Sequence, residues 1–585
     1  MKLVIAEKPS VARAIQEAIG NEFTVIALRG HIYEQASPDE YVPDDVPLNG
    51  NGNKKWREID LPIIPNAWHR NLRSECEGIR DKVLVHLRQT TEVIHAGDAD
   101  REGQWLVDEV LEEMGYRGPV SRIWLQSLTP ASIQQAFRKK RSNSEYKSLS
   151  DSALARSRAD WLVGNNLTRA YSFKLKKNNH HLGTISIGRV QTPTLAMIVN
   201  RDRQIESFMP WTYLEIHATA RHSLGDMTLT WKPGKPFGKC FDESGLLTSG
   251  MLAHSILASA QGIGIVTEYR EEAFPVSPPL PFNLSELQKL ASQKFGMTAT
   301  EVLNACQSLY ESGAITYPRT NCRNVPVQEM ASLRNIASSL NLSPVAFASE
   351  SLHDAFDDTR VTAHTAILPT DRIPENLSGH ARWIYDLISK SATALFMPPA
   401  KCLNISATVK LNGESWVIQS RRTTDKGWTT LSPERQEEFI PPLKPGDRIE
   451  FTNAEIVYLD TKPVERYTDG SLIDDMVNIH RHVADPKHQA ILHESGGLGT
   501  DATRATIIEE LISKELVTRK DQYLISTAKG RILFDSLQPE LCDPMMTAHW
   551  EQKLSMILDG KLDLDDFQSD ITDFVRSQVA LALRK

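Results

Sequence analysis

The chain is predicted to fold as a multi-domain α/β protein, and three observations carry that prediction. Its 585 residues correspond to about three to five domains at roughly 100–200 residues each. Strand–loop–helix units near the N-terminus predict a parallel sheet. Later segments with a two-residue hydrophobic period predict antiparallel strands. The composition, 41% hydrophobic and 24% charged, excludes a wholly disordered chain.

The strand–loop–helix units lie in about the first 140 residues. Residues 2–6 form an apolar run that predicts a buried strand. An alanine-rich helix with Ser10 as its N-cap should follow and end at Gly20. A second strand is predicted at 92–96, followed by an amphipathic helix over about 102–114. Strands that alternate with helices in this way are typical of a parallel sheet.

Alternating apolar and polar residues mark the β-rich parts of the chain. Antiparallel strands are predicted at Leu214, Ile216 and Ala218 and at Leu403, Ile405, Ala407, Val409 and Leu411. Residues 283–400 carry a mostly helical pattern, as does the part from about 500 onward. Proline clusters at 275–281 and 441–445 indicate boundaries between these regions.

Charge is distributed unevenly along the chain. The formal net charge of −8 argues, on composition alone, against a nucleic-acid partner. From Arg138 to Arg203, however, fourteen Lys and Arg stand against four Asp and Glu, a local charge of +10, and the other residues sum to −18. Basic residues mixed with aromatics, here Trp161, Tyr171 and Phe173, suit a surface that neutralises phosphates and stacks bases. A solvated helix face is the simpler alternative.

Residue usage argues against several classes of protein. The six cysteines lie far apart and form no C-x-x-C pair, which disfavours a zinc ribbon and a disulfide framework. No apolar run approaches the roughly 18 residues that cross a bilayer, and the N-terminal run is too short for a signal peptide. Segment 234–239 is one residue short of a G-x-x-x-x-G-K-[ST] nucleotide-binding loop. We therefore expect a cytoplasmic protein.

The strongest local signal is the segment Gly-Asp-Ala-Asp-Arg-Glu-Gly at 97–103. Asp98, Asp100 and Glu102 lie at the carboxyl end of a predicted strand and repel one another unless a cation joins them. Hard oxygen ligands suit Mg²⁺, and ligands bind outside the carboxyl ends of strands in open α/β sheets. Acids that favour the start of the next helix are the alternative, which explains Glu102 but hardly the two aspartates.

Glu7 and Lys8 follow the first strand in the equivalent position. A carboxylate beside an ammonium group can act as an acid/base pair near a phosphate. A surface ion pair is the simpler interpretation of these two residues alone. If the two strands are neighbours in the sheet, Glu7 joins Asp98 and Asp100 in one acidic site.

Tyr317 lies in the segment Thr-Tyr-Pro-Arg at 316–319. A tyrosine hydroxyl can act as a covalent nucleophile if neighbouring charge lowers its pKa or stabilises the developing oxyanion. Arg319 could hold phosphate oxygens with its bidentate guanidinium. A tyrosine packed in a turn is the alternative that the segment alone favours.

Six ordered segments resemble those of the type IA DNA topoisomerase family, and within it the bacterial topoisomerase III branch. Residues 7–10 and 98–103 resemble the two acidic motifs of its TOPRIM domain, and 315–320 resembles the active-tyrosine motif. The family's Gly-Arg-Val-Gln signature, His-x-Ala-Ile block and Gly-Thr-x-Ala-Thr-Arg block are matched at 186–193, 363–370 and 499–504. The segments span nearly the whole chain.

The resemblance implies catalytic roles for five residues. Tyr317 would attack a single-stranded DNA phosphodiester and become linked to the 5′-phosphate. Lys8, with Glu7 beside it, would help to protonate the leaving 3′-oxygen. Arg319 would stabilise the phosphotyrosyl group, and His364 would hydrogen-bond the reacting phosphate region.

The resemblance also implies metal-binding and DNA-binding residues. The Mg²⁺ ligands would be Glu7, Asp98, Asp100 and Glu102, and the metal would act chiefly in rejoining the break. The residues expected to contact the DNA strand are Ser186, Ile187, Gly188, Arg189, Val190, Gln191, Thr503 and Arg504.

An α/β, multi-domain architecture arranged as a toroid follows from the same resemblance. A TOPRIM domain would occupy 1–149, and a helical DNA-binding domain would combine 150–205 with 476–585. A split β-rich hinge would be formed by 206–276 and 401–475. The domain that carries the active tyrosine, 277–400, would be inserted in the hinge.

The activity implied is ATP-independent: one DNA strand is cleaved, another passes through the break and the break is religated. This relaxes negative supercoils and decatenates DNA. The expected cofactor is Mg²⁺, without ATP or zinc. Expected partners are single-stranded DNA and negatively supercoiled or catenated DNA, together with a helicase or single-strand-binding protein. We expect a monomer, located at the nucleoid and not at a membrane.

Two alternatives stay open. A TOPRIM metal-dependent nuclease or primase would use Asp98 and Asp100 but leave Tyr317 unexplained. If the chain were a non-catalytic single-strand DNA-binding protein, we would expect catalytic residues to be lost, and none of the expected ones is missing. A covalent protein–DNA adduct discriminates among these possibilities.

Overall fold

A computed structural model of the chain describes residues 2–125, 128, 130–178, 182–234, 238–342, 347, 353–361, 364–431 and 440–584. Two segments noted above lie partly outside these ranges. Residues 235–237 of the segment 234–239 are not described, nor is Ala363 of the block 363–370.

The N-terminal part is built on a parallel sheet, as the sequence predicts. Its elements are β1 (Lys2–Ala6), α1 (Pro9–Ile19), β2 (Phe23–Ala27), β3 (Tyr33–Gln35), β4 (Arg70–Leu72), α2 (Glu77–Leu87), β5 (Glu92–Ala96), α3 (Arg101–Glu113), β6 (Val120–Arg122), α4 (Pro130–Arg138) and β7 (Arg141–Ser142). Within the described residues the order is β2-β1-β5-β6-β7, with only β7 antiparallel. The loops after β2, β1 and β5 therefore lie side by side, and we call this the carboxyl edge.

The two predicted strands are confirmed at their predicted bounds, but the predicted cap of the first helix is wrong. α1 begins at Pro9, with Lys8 as N-cap, and Ser10 lies inside the first turn. Proline suits the first helical position because its φ is fixed and it lacks an N–H group. The helix ends at Gly20, whose φ of 70° is readily adopted by glycine.

Two long helices and a β barrel follow in the chain. α5 (Lys147–Lys177) and α6 (Gln191–Glu206) lead into β8 (Thr212–His222), β9 (Gly225–Lys232), α7 (Gly250–Ser259) and β10 (Gly262–Val276). The chain then forms α8 (Leu284–Phe295), α9 (Ala299–Glu311), α10 (Met330–Ser339) and α11 (Gly379–Ala394) before it returns through β11 (Ala400–Leu411), β12 (Glu414–Asp425) and β13 (Arg448–Asp460).

Both period-two stretches lie in the barrel, as antiparallel strands. Among the described residues the closed order is β10-β11-β12-β9-β8-β13. Leu214, Ile216, Val409 and Leu411 point into its core, beside the fully buried Trp416. Because β10 and β11 pair along their length, the inserted helices α8–α11 leave and re-enter the barrel at one end.

The rest of the chain is mostly helical. It comprises α12 (Asp469–Val477), α13 (Pro486–Glu494), α14 (Arg504–Ser513), β14 (Val517–Lys520), β15 (Tyr523–Ser526), α15 (Ala528–Ser536), α16 (Pro539–Cys542), α17 (Pro544–Leu558) and α18 (Leu564–Leu583). One continuous core joins these helices to α5, α6, α8, α9 and one face of the N-terminal sheet. Among the described residues, no helix combines the length and apolar character that a membrane span requires.

Candidate active site

The strand pairing brings the two acidic loops together. β1 and β5 are neighbours in register, with Ala6 opposite Ala96, so Glu7 lies beside the loop that holds Asp98. The Asp98 backbone N–H donates to Glu7 Oε2 at 3.4 Å. Lys8 Nζ donates to Asp98 Oδ2 at 2.6 Å and lies 3.2 Å from Glu7 Oε1. One ammonium group thus compensates two carboxylates at the carboxyl edge.

The charges at this edge leave an excess of negative potential. Burial, together with the Asp98 charge, raises the pKa of Glu7 to about 7. Burial alone would lower the pKa of Lys8, but Asp98 and Glu7 outweigh it and the pKa is raised. Lys8 therefore stays charged, and the site can still accept a further cation.

Close backbone packing shapes the loop at 97–103. A Cβ atom on Gly97 would lie 2.1 Å from the Gly103 carbonyl oxygen, and one on Gly103 would lie 2.5 Å from the Asp98 nitrogen. Arg122, which is 1% exposed, donates to the carbonyl oxygens of Gly97 at 2.8 Å and Asp98 at 2.7 Å. The two glycines and this buried arginine fix the loop that carries the carboxylates.

Asp100 has a structural role that the sequence analysis assigned only to Glu102. It is the N-cap of α3, and its Oδ1 accepts from the Gly103 N–H at 2.7 Å. Its other oxygen, Oδ2, faces Tyr317. Glu102 is the second residue of the helix, and its Oε1 lies 3.7 Å from Arg156 Nη1 on α5. The structure therefore directs Asp100 toward the tyrosine and Glu102 toward α5.

Tyr317 lies in a short extended segment that is held by the segment containing His364. Thr316 donates its N–H to the Leu368 carbonyl oxygen at 2.9 Å, and the Thr370 N–H donates to the Ala314 carbonyl oxygen at 3.0 Å. The rings of Tyr317 and His364 lie 4.5 Å apart, centre to centre. The two segments thus place both rings side by side.

The tyrosine reaches across the chain to the carboxyl edge. Its hydroxyl donates a long hydrogen bond to Asp100 Oδ2 at 3.5 Å, and Lys8 Nζ lies 6.0 Å from the ring centre. The side chain is only 3% exposed. Burial, with the charges of Asp98 and Asp100, raises the pKa of Tyr317 well above its ordinary value. Of the two ways in which neighbouring charge could activate this tyrosine, the structure does not show a lowered pKa, which leaves stabilisation of the developing oxyanion.

Two residues near Tyr317 have buried polar atoms without partners in the described part of the chain. Both ring nitrogens of His364 and Nε of Arg319 are buried and make no hydrogen bond to the described residues. Burial lowers the pKa of His364, so its ring is neutral. Buried polar groups without partners are costly, and a phosphodiester could accept hydrogen bonds from both side chains.

The donors at the carboxyl edge fit Mg²⁺ by their chemistry. Glu7, Asp98 and Asp100 supply hard oxygen ligands, and burial together with the charge of Asp98 raises the pKa of Glu7. Lys8 lies between Glu7 and Asp98. Among the described residues, no three acidic, histidine or cysteine side chains are already arranged as a metal site.

The Gly-Arg-Val-Gln segment leads into α6, and its buried residues are held by other side chains. Arg189 is 3% exposed and lies 3.1 Å from Asp160 Oδ1 and 3.0 Å from Glu551 Oε1. Ile187, Val190 and Gln191 are also buried, and Ser186 donates to Gln191 Oε1 at 3.0 Å. Only Ser186 and Gly188 of the predicted contact residues here are partly exposed.

Glu551 of α17 connects this segment to the carboxyl edge. Its Oε2 accepts a hydrogen bond at 3.0 Å from Nη2 of Arg101, the residue that follows Asp100. Burial alone would raise the pKa of Glu551, but Arg101 and Arg189 lower it to about 2. The arginine predicted to contact DNA is thus paired inside the protein, because two acids neutralise it.

Arg504 is likewise buried. It donates to the carbonyl oxygens of Leu498, Gly496 and Gly499 at 3.0, 2.8 and 2.9 Å. It also reaches Asp501 Oδ1 at 3.0 Å. In the structure Arg504 holds its own loop, and Thr503 is the partly exposed member of the predicted pair.

Comparisons with known proteins agree with the resemblance. Residues 144–569 match the DNA topoisomerase family, and residues 2–128 match the Toprim domain. The chain is 35% identical to DNA topoisomerase 3 of Haemophilus influenzae, with 100% of this chain and 96% of that protein covered. It is 36% identical to DNA topoisomerase 3 of Vibrio cholerae, with 95% and 90% covered.

The fold is shared with a solved structure. Full-length topoisomerase I from Thermotoga maritima superposes with a TM-score of 0.76 at 21% identity, covering 100% of this chain and 91% of that one. The predicted fold class, a multi-domain α/β toroid with an N-terminal TOPRIM domain, is thereby confirmed.

The role of Arg122 can be tested by Arg122→Met. This change leaves the buried carbonyl groups of Gly97 and Asp98 unpaired, at about 1–3 kcal/mol each. We expect faster amide hydrogen exchange at 97–103 and a lower thermal midpoint. Arg141→Met on β7 is the control, because its guanidinium is exposed and 3.8 Å from Glu145. Unchanged exchange at 97–103 would contradict the assigned role.

The ion pairs of Glu551 predict a pH dependence of stability. Because its pKa is lowered from 4.5 to about 2, the ionised side chain stabilises the fold above about pH 4.5, and this contribution is lost as pH falls toward 2. Glu551→Gln should be less stable than wild type near neutral pH. The gap in unfolding free energy should narrow by about 1.4 kcal/mol per pH unit below about 4.5.

Urea unfolding at about pH 7 and about pH 4 measures this gap. Glu510→Gln is the control, because Glu510 forms an exposed pair with Lys514 on α14 at 3.7 Å. A gap for Glu551→Gln that stays constant with pH would refute the lowered pKa.

Proposed function

The chain belongs to the type IA DNA topoisomerase family, and we propose that it acts as a topoisomerase 3 with Tyr317 as its nucleophile. An enzyme of this type cleaves one DNA strand, passes another through the break and religates it without ATP. The single observation that carries the assignment of the nucleophile is the contact of Tyr317 with Asp100 at 3.5 Å, between segments 217 residues apart.

In the cleavage step the Tyr317 oxygen forms a bond to phosphorus and the bond from phosphorus to the 3′-oxygen breaks. The phenol loses its proton to Asp100, whose Oδ2 already accepts a hydrogen bond from it. Lys8 gives a proton to the leaving 3′-oxygen, and the neighbouring Glu7 keeps the lysine charged and oriented. Transesterification keeps the phosphoester bond energy, so rejoining reverses the step without a nucleotide.

The charge that develops on the phosphate needs donors that are already in place. Arg319 is two residues from the nucleophile, and its Nε has no other partner in the described residues. His364 is neutral and its ring lies tilted against the tyrosine ring, so it can donate from one nitrogen without adding charge. We assign both residues to the phosphate oxygens.

Mg²⁺ would be held by Glu7, Asp98 and Asp100, with Glu102 as a further candidate on the neighbouring turn. When bound, the ion supplies positive charge that offsets these carboxylates and orients the phosphate for rejoining. In its absence the cluster depends on Lys8 alone, which must also serve the leaving group.

Strand passage requires the tyrosine region to separate from the rest of the protein, and the interface between them combines apolar packing of α8 and α9 with polar contacts. Ser285 Oγ donates to Asp501 Oδ1 at 2.6 Å, and Lys289 Nζ lies 3.0 Å from Asp474 Oδ2. The Ala299 N–H donates to Asp469 Oδ2 at 3.0 Å. We propose that the contact of Ser285 with Asp501 belongs to the gate, with 277–400 as the moving domain and 206–276 with 401–475 as its hinge. Asp469 and Asp474 lie at the hinge end of this interface.

The remaining domains follow from the same division. We assign 1–149 to the TOPRIM domain and 150–205 with 476–585 to the helical DNA-binding domain. Ser186, Gly188 and Thr503 are the contact residues that are accessible with the gate closed, and the buried members, Arg189 and Arg504 among them, would act after rearrangement. We further propose a monomer that works on nucleoid DNA in the cytoplasm, with a helicase or single-strand-binding protein as partner.

Tyr317→Phe tests the nucleophile. The variant should lose relaxation of negatively supercoiled plasmid with Mg²⁺ and without ATP, and should form no covalent adduct when DNA reactions are stopped with denaturant. Tyr310→Phe is a matched control, because this buried tyrosine packs edge-on against Tyr317 with ring centres 5.4 Å apart. Relaxation retained by Tyr317→Phe would eliminate the covalent mechanism and favour a metal-dependent nuclease.

Asp98→Asn with Asp100→Asn tests the metal site. Asparagine keeps the helix cap of α3 but removes two negative charges. We expect cleavage to slow, because Asp100 accepts the tyrosine proton, and rejoining of the adduct that does form to require more Mg²⁺. The control is Asp44→Asn with Asp45→Asn, two exposed aspartates of the same domain. An unchanged Mg²⁺ titration of rejoining would refute the assignment.

A further inference from the structure

A cavity of about 540 Å³ lies next to the tyrosine site and is lined from both sides of the gate. Ser10, Arg13 and Arg29 line it from α1 and the loop after β2. Gln307, Glu311 and Arg319 line it from the tyrosine region. Glu7 and Lys8 also line it, so the cavity adjoins the catalytic residues.

The cavity presents two guanidinium groups that no described acid neutralises. Arg13 and Arg29 are exposed, and neither forms an ion pair within the described part of the chain. This sets them apart from Arg101, Arg156 and Arg189, which face acids on the other side of the site. Glu311 lines the same cavity and is engaged by Gln307 Nε2 at 2.8 Å.

The start of α1 adds to this positive character. The helix has eleven residues, no acidic residue in its first turn and no side chain that caps it, so its free N–H groups favour an anion. Ser10 lies in that turn, is 8% exposed, and its Oγ has no hydrogen-bond partner in the described residues. A buried hydroxyl without a partner beside a free helix end is suited to an oxygen acceptor.

Arg29 is held in a backbone conformation that arginine seldom adopts. Its φ is +64°, and its N–H donates to the Glu7 carbonyl oxygen at 2.8 Å. The left-handed region is unfavourable for a residue other than glycine, and such residues cluster at functional sites. The strained turn carries the Arg29 side chain to the cavity.

The order of the strands places this cavity and the Gly-Arg-Val-Gln segment on opposite sides of the tyrosine. Along the carboxyl edge the loops come from β2, β1 and β5 in turn. Arg29 follows β2, Glu7 and Lys8 follow β1, and Asp100 with Arg101 follow β5. Arg101 connects through Glu551 to Arg189, so the edge has the cavity at one end and the Gly-Arg-Val-Gln segment at the other.

We propose that Arg13, Arg29 and Ser10 form a phosphate site for the DNA strand on the β2 side of the cleaved bond. This inference rests on the proposed function, because it assigns the cavity to the continuation of the cleaved strand. The ligand is a backbone phosphodiester, taken up by two guanidinium groups, a hydroxyl and the free N–H groups of α1. All three side chains belong to the TOPRIM side of the gate and stay with it when the tyrosine region moves.

The test measures binding of single-stranded oligonucleotides to the full chain carrying Tyr317→Phe. A set of oligonucleotides has one phosphate at a time replaced by an uncharged methylphosphonate, on both sides of the cut mapped with the wild-type adduct. The variant is Arg13→Gln with Arg29→Asn, because glutamine suits the helix and asparagine tolerates the left-handed region. The control is Lys82→Ala with Arg88→Ala, two exposed cations on α2 and at its C-cap.

We expect the variant to bind about tenfold more weakly, with a salt dependence shallower by about 0.7 for each phosphate that the variant no longer neutralises. At one position the methylphosphonate should weaken binding by the parent but not by the variant. Gln191→Ala marks the other side of the cut: at the phosphates near Gln191, methylphosphonate replacement should weaken binding by this variant less than binding by the parent. The position that is sensitive to Arg13 and Arg29 should lie on the opposite side of the cut from those phosphates. Ser10→Ala should weaken binding at the same position.

The inference is overturned if methylphosphonates weaken the parent and the variant equally at every position, if the variant binds as the control does, or if the sensitive phosphate lies on the Gln191 side. If the wild type forms no adduct, the proposed function fails. Whether Arg13 and Arg29 hold a backbone phosphate is still decided in that case, because the scan is read from binding. The side of the cut on which that phosphate lies is read only when the adduct maps the cut.

Discussion

The site depends on one electrostatic constraint. Carboxylates held close together at a sheet edge need nearby positive charge, but enough of their negative charge must remain to bind a cation. Pairing of β1 with β5 forces Glu7 toward Asp98, and burial together with the Asp98 charge raises the pKa of Glu7. Lys8 offsets part of the charge, and Arg122 fixes the loop from behind through carbonyl groups. A divalent cation could supply the positive charge that is still missing, and burial with the charges of Asp98 and Asp100 keeps Tyr317 protonated.

The same balance explains how an acidic chain can handle DNA. The basic stretch from Arg138 to Arg203 does not form a uniformly positive surface, because Arg156 and Arg189 face Glu102, Asp160 and Glu551. Among the described residues, some arginines have no acidic partner, such as Arg13 and Arg29. An enzyme that must release a strand after each passage benefits from such local sites, since uniform attraction would hold the DNA.

The sequence predicted the elements whose signals are local. Strands β1 and β5 and the end of α1 at Gly20 were predicted correctly, because short apolar runs and a terminal glycine need no distant partner. Ser10 was misassigned because proline at the first helical position determined where the helix begins. The raised pKa of Tyr317 could not be foreseen, since it arises from burial against carboxylates 217 residues away. Arg122 and Glu551 carry no motif, and their roles exist only where distant elements meet.

Covalent closure of the gate tests most directly whether the tyrosine region must leave the carboxyl edge for strand passage. Ser285 and Asp501 are in contact across it at 2.6 Å, and Ser285→Cys with Asp501→Cys would join them by a disulfide. The oxidised variant should still form the adduct with single-stranded DNA but should not relax plasmid until it is reduced, and the two single variants should relax it under both conditions. Relaxation by the oxidised double variant at the rate of the reduced one would contradict passage through this gate.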